Sequence, residues 1–169
     1  MGNSFHLPAV LKHNMEFRGD YECTMDEKGR IKMPAPLRKQ FSAAKQNRFV
    51  LVKDLEDCLV IYTAKSWNEL EARLKKLNPF NLDHQRFINL VTTGWTEIEI
   101  DGADRFLIST SLKKYLGKSK DILLKGKFDK IQVWDAKKYE QASQVNHANS
   151  EYLAAKIAGY LDDLEKEKK

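Results

Sequence analysis

MDEKGRIKMP, residues 25–34, sets Asp26, Glu27, Lys28, Gly29 and Arg30 between apolar Met25 and Ile31. A variant, IDGADRFLIS, occupies 100–109, and again an aspartate stands four places before an arginine: Asp26 and Arg30, then Asp101 and Arg105. Internal repetition decides architecture, so it is followed outward first. At a shift of 75, Ile31 falls on Phe106, Met33 on Ile108, Leu37 on Leu112, Arg38 on Lys113 and Phe41 on Leu116. At a shift of 72, Val50 to Lys53 fall on Ile122 to Lys125, Asp57 on Asp129, Leu59 on Ile131, Ile61 on Val133, Tyr62 on Trp134 and Trp67 on Tyr139. The chain contains two copies of one unit.

Each copy reads strand, turn, strand, short helix, strand, turn, strand. Tyr21, Cys23 and Met25 alternate with polar residues, the period of a half-buried strand. Gly29 permits the tight turn, and Ile31 and Met33 carry the apolar face onward. Pro34 stops that strand, and Pro36 suits the first turn of a helix that buries Leu37 and Phe41. Phe49 to Val52 and Cys58 to Tyr62 predict two strands around an Asp54–Asp57 turn. The second copy predicts strands at Ile98/Ile100, Phe106/Ile108, Ile122 to Leu124 and Ile131/Val133, with a helix from about Ser109 to Gly117. One copy, of about 45 residues, is near the size at which a core is marginal alone. Two copies can close their apolar faces on each other, so the turn is written twice because the fold needs two halves.

Between the copies the pattern is helical. Ser66 and Glu69 have capping-box spacing, and Trp67, Leu70, Leu74 and Leu77 share a face. Asn78-Pro79 breaks that helix; a second, from about Asp83, carries Phe87, Leu90 and Val91 and ends at Gly94. These helices pack on the barrel or present a surface to a partner subunit. From Ala136 onward the composition is helical again, with Tyr152, Leu153, Ile157, Tyr160 and Leu161 at loosely helical spacing before a frayed, solvated DDLEKEKK end. The expected segments are 1–16 as an N-terminal extension, 17–67 as repeat 1, 68–94 as a helical linker, 95–139 as repeat 2 and 140–169 as a helical tail.

At 169 residues, 42% hydrophobic and 31% charged, the chain reads as a folded, soluble protein. Its apolar runs are too short to span a bilayer, its N-terminus lacks signal-peptide layout, and His6 stands where a myristoylation signal wants Ser or Thr. A cytoplasmic setting follows. Cys23 and Cys58 lie in strand-like apolar runs and read as buried, reduced thiols. His6, His13, His84 and His147 are scattered, so no metal and no cofactor is expected.

The net charge of +5 is modest, but its distribution is not even. From Lys28 to Lys53 there are eight Lys/Arg and no acid, and from Arg105 to Lys120 five and no acid. Two basic runs following the same turn point to an anionic partner. No nucleophile–base pair and no phosphate-cradling glycine loop favours an enzyme or a small-molecule substrate.

The stretches FRGDYECTMDEKGRIKMPAPLRKQF (17–41), FVLVKDLEDCLVIY (49–62), SWNELEARLKKL (66–77), TTGWTEIEIDGADRFLIS (92–109) and KFDKIQVWD (127–135) together resemble the MraZ family. Its members are bacterial transcription regulators of the division and cell-wall gene cluster, built from two SpoVT-AbrB repeats. The resemblance covers Phe17 to about Gln144 and leaves residues 1–14 as an extension. It implies an α+β, mainly β fold in which the two repeats interleave as a swapped-hairpin barrel, a pseudo-dimer within one chain, with peripheral helices. It further implies rings of subunits that bind short direct repeats in promoter DNA, usually as a repressor, and association with the nucleoid.

Within that frame the DNA-binding candidates are Lys28, Arg30, Lys32, Arg38 and Arg105, and the turn-shaping residues are Asp26, Gly29 and Asp101. Arg30 and Lys32, two apart on a strand, project from one face, with Lys28 in the preceding turn. Arginine suits a bidentate guanine contact, and lysine a phosphate. In the second copy Asp104 replaces the glycine before the arginine. From Asp26 to Arg38 there are four bases against two acids, and from Asp101 to Lys113 two against two. The expectation is that the first copy reads DNA and the second mainly completes the barrel. The competing expectation is an AbrB-type, antitoxin-like module that neutralises a partner protein.

Overall fold

The computed structural model describes residues 16–43 and 48–168, so the expected extension over residues 1–14 lies outside the described residues. The first copy supplies β1 (Asp20–Thr24), β2 (Arg30–Lys32), α1 (Ala35–Ala43), β3 (Arg48–Lys53) and β4 (Leu59–Thr63). Two linker helices follow, α2 (Ala64–Leu74) and α3 (Leu82–Val91). The second copy supplies β5 (Thr96–Glu99), β6 (Arg105–Leu107), α4 (Thr110–Leu116), β7 (Asp121–Lys127) and β8 (Lys130–Asp135). The chain ends in α5 (Ala136–Ala148) and α6 (Ser150–Glu167).

All pairings are antiparallel, and they interleave the copies. The six-stranded sheet runs β1-β7-β8-β4-β3-β5, while β2 and β6 form a separate two-stranded ribbon. The β3–β4 and β7–β8 hairpins meet at β4–β8, with Leu59 opposite Val133 and Ile61 opposite Ile131. The first strand of each copy then pairs with the other copy's hairpin, β1 on β7 and β5 on β3. This is the swapped arrangement, an α+β pseudo-dimer in one chain. The ladder does not close on itself. Instead, the turns 25–29 and 100–104 lead from the two sheet edges into the ribbon, which therefore bridges the gap.

One apolar cluster fills the interior. Ile31, Leu37, Phe41, Leu51, Leu59, Phe106, Leu112, Leu116, Leu124 and Val133 are fully buried, drawn equally from both copies. Phe41 packs between Phe17 and Phe49, with ring centroids 4.8 and 4.2 Å away. Burying side chains of this size stabilises by roughly 1.5–3 kcal/mol each, which is why neither half is expected to persist alone. A second cluster lies on the other face of β3 and β4, where Val50, Val52 and Val60 meet Trp67 of α2.

Three local expectations are corrected. The cap of α2 is Thr63, whose Oγ1 accepts the Ser66 N–H at 3.1 Å, so Ser66 lies inside the first turn. β4 runs directly into the helix, and a Thr at the strand end reaches the orphan N–H groups before Ser66 can. The helix also ends at Leu74, short of Leu77. Asn81 caps α3 by accepting from the Asp83 and His84 N–H groups. None of the α3 side chains is buried, and Phe80, Leu82, Phe87, Leu90 and Trp95 stay exposed. The C-terminal unit from Lys137 consists of the rest of α5 and α6, with a one-residue break at Asn149. Its α6 continues through the charged end to Glu167 rather than fraying from Asp162, and it buries no residue. Among the described residues, no helix is long and apolar enough to cross a membrane.

Candidate nucleic-acid interface

The two turns are built alike. In the first, one Asp26 carboxylate oxygen accepts the Lys28 and Arg30 N–H groups at 3.0 and 2.9 Å, and the other accepts Arg30 Nε–H at 2.7 Å. Gly29 donates to the Asp26 carbonyl and adopts φ +85°. In the second, Asp101 accepts the Ala103 and Arg105 N–H groups, both at 2.9 Å, and Arg105 Nε–H at 3.0 Å. Asp104 donates to the Asp101 carbonyl and adopts φ +59°. The aspartate ties the loop together and holds its arginine beside the ribbon. In both turns the arginine backbone N–H holds the carboxyl below its ordinary value, and the guanidinium adds to that.

The ribbon register then decides which candidates share a surface. Arg30 lies opposite Leu107, Ile31 opposite Phe106 and Lys32 opposite Arg105. Directly opposed antiparallel residues point to one face, so Ile31 and Phe106 enter the core while Arg30, Lys32, Arg105 and Leu107 face out. The side chains of Arg30 and Arg105 are 32% and 35% exposed, so the two copies present equivalent arginines. Lys28 is exposed in the turn beside Arg30. The major groove of duplex DNA admits a two-stranded β-ribbon.

Arg38 goes elsewhere. Its Nε–H donates to Asp104 Oδ1 at 2.8 Å, an ion pair between residues 66 positions apart. Its counterpart Lys113 lies against the first turn, where a Cβ on Gly29 would fall 2.4 Å from Lys113 Cε and 2.6 Å from Nζ. Interleaving thus exchanges the partners: each copy's helix serves the other copy's turn. The sequence reading assigned Arg38 to its own copy and did not single out Lys113 or Leu107. The alignment of Arg38 with Lys113 was the available signal, but only the strand order shows which turn each reaches.

One further group lies at the β3–β4 turn. Asp54, Glu56 and Cys58 bring one potential ligand atom each within 4.8 Å of one another. Gln132 Nε2 donates to both carboxylates at 2.8 Å, and the Cys58 thiol donates to Asp54 at 3.6 Å. Burial, then the two acids, raises the Cys58 thiol far above its usual value. Its bonded state is that of a protonated thiol in a hydrogen-bonded turn.

Comparison with known proteins agrees with this doubled architecture. The family profile of the MraZ protein, described as antitoxin-like, matches residues 16–90 and again 91–158. The chain is similar to a protein of Flavobacterium psychrophilum named transcriptional regulator MraZ, 36% identical over 148 residues, 87% of this chain and 94% of that one. Proteins with the same name from Clostridium tetani and Acetivibrio thermocellus are 37% and 33% identical over 142 residues, each covering 84% of this chain and 96% of the relative. With two profile matches laid end to end on two interleaved copies, the chain belongs to the MraZ family.

Proposed function

We propose that this chain is a transcriptional regulator that binds duplex DNA through the outward face of the β2–β6 ribbon. The observation that carries the reading is the register that gathers Arg30, Lys32 and Arg105 on one face, with each arginine held by a turn aspartate. Arginines held before the ligand arrives lose less conformational freedom on binding. Names carried by relatives, transcriptional regulator MraZ, point the same way. Arg30 and Arg105 offer bidentate contacts to guanine, while Lys28 beside the first turn and Lys32 opposite Arg105 neutralise phosphates at the two ends of the ribbon. One ribbon covers a short site, so tight binding calls for several copies on tandem promoter repeats, where effective concentration adds avidity without new contacts. The exposed apolar residues of α3 suit the self-association that a ring of copies requires. On a promoter of the division and cell-wall cluster such a ring excludes polymerase, which makes the chain a repressor in the cytoplasm and on the nucleoid.

The test is fluorescence anisotropy on the region upstream of the chain's own gene. Arg30→Ala is expected to lower affinity by roughly 5- to 150-fold at an intact box, the range of one lost bidentate base contact. Lys32→Ala should weaken all duplexes alike and flatten the dependence on salt by about one ion. A chain that keeps its assembly mass yet ignores these fragments at low salt refutes the reading. A second reading has one observation in its favour: the antitoxin-like family description beside exposed Tyr152, Leu153, Ile157, Tyr160 and Leu161 on α6. In that case a single partner protein is recovered at fixed stoichiometry, with no shift of promoter DNA.

A further inference from the structure

Tyr152, Leu153, Ile157, Tyr160 and Leu161 of α6 are 40–64% exposed, and among the described residues neither α5 nor α6 buries a side chain. An apolar stripe of this length on an 18-residue helix marks a contact surface. Its spacing names the kind. Leu153, Ile157, Tyr160 and Leu164 follow at steps of four, three and four, the narrow seam of a helix pair rather than the wider face of a helix that packs on a sheet. The family profile stops at residue 158, so Tyr160, Leu161, Asp163 and Leu164 lie beyond it and belong to this chain rather than to the shared pattern.

The flanking residues set the orientation. With Leu153 and Tyr160 at heptad position d and Ile157 and Leu164 at a, Lys156 and Asp163 both fall at g, and Ala154 and Leu161 both at e. Two such helices laid antiparallel bring g against g and e against e. Leu153 would then meet the partner's Leu164, Ile157 the partner's Tyr160, and Leu161 the partner's Ala154. Lys156 would face the partner's Asp163, and the two-fold axis makes that ion pair twice. A parallel pair would instead set Lys156 against apolar Leu161 and match only Asp163, with Lys168. Neither charge is committed within the helix. Lys156 Nζ rests 5.9 Å from the Tyr152 ring centroid, and Asp163 holds an exposed contact to Lys166 at 3.4 Å.

We propose that α6 is a self-association surface that pairs antiparallel with α6 of a second copy. The same patch meets itself across a two-fold axis, so the contact closes at two helices. It is separate from the ribbon and from α3, and it joins whatever assembly the rest of the chain forms to a second one. The apolar seam holds the pair together, while the two charge pairs fix its direction and register.

The test is the mass of the full-length chain, by mass photometry and sedimentation velocity over a dilution series. I157E sets an acid in the seam and is expected to halve that mass. The fluorescence of Trp67, Trp95 and Trp134, all outside α6, should stay unchanged, because Ile157 is exposed in the single copy. K156D and D163K each oppose like charges across the axis and should raise the dissociation constant of the pair several-fold. The K156D/D163K double swap should return it to the parent value. A mass that I157E leaves unchanged overturns the proposal, as does a double swap no better than either single one. A parent chain that stays unpaired yet holds one other protein through α6 at fixed stoichiometry also overturns it, in favour of the antitoxin-like reading.

Discussion

Replacing Gly29 by alanine and Asp104 by glycine perturbs the same slot of the two turns in opposite directions, and the structure sets both magnitudes. At φ +85° an alanine carries a left-handed penalty of roughly 1–2 kcal/mol. Its Cβ would also stand 2.8 Å from the Ile108 carbonyl oxygen and 2.4 Å from Lys113 Cε. The lysine tip can swing aside; the Ile108 backbone cannot, because its N–H donates to the Gly29 carbonyl and its side chain is buried. Weakening that ribbon hydrogen bond adds about 0.5–1.5 kcal/mol. Gly29→Ala should thus cost about 1.5–3.5 kcal/mol, a drop in melting temperature of about 3–14 °C for a chain of this size. D104G relieves the left-handed strain, but it gives up a half-exposed ion pair, worth under about 1 kcal/mol, and loosens the unfolded chain. Its net change is within about 1 kcal/mol. The assay is urea and thermal unfolding followed by circular dichroism, at one protein concentration because assembly shifts apparent stability. A Gly29→Ala chain that melts with the parent refutes the reasoning, as does D104G being the more damaging of the two.

Acid should expose the turn carboxylates. Asp26 and Asp101 titrate below their ordinary value because the Arg30 and Arg105 backbone N–H groups bind the charged form. A depressed acid contributes its full stability above the unfolded pKa and loses it as pH falls through the lower folded pKa. D26N and D101N should therefore be less stable than the parent near neutral pH, with the gap closing in strong acid; a gap independent of pH would contradict this. The thiols offer a second check: burial pushes Cys23 up to about 11 and Cys58 higher still. Neither should react with an aromatic disulfide reagent at neutral pH until the chain is unfolded, and a fast stoichiometric reaction of the native chain would show otherwise.

Much of the fold is local and so lay open in the sequence. The two-residue alternation of Tyr21, Cys23 and Met25, the helical spacing after Pro34 and the paired turns each follow from a few neighbouring side chains, and β1, β2, α1 and α4 stand where these patterns put them. Doubling was equally legible, because a repeat is a property of the chain itself. The Ser66 cap failed for a reason short windows miss: β4 ends at Thr63 and leaves no room for a later start. What only the tertiary structure decided is which half serves which. Strand order carries β1 to β7 and β5 to β3, which sends Arg38 to Asp104, brings Lys113 over Gly29 and sets Arg105 opposite Lys32. These contacts join residues scores of positions apart, and no local preference encodes them. They arise because burying the apolar faces of both copies at once is favourable only when the halves interleave, and the charges at the surface are then placed by the packing beneath them.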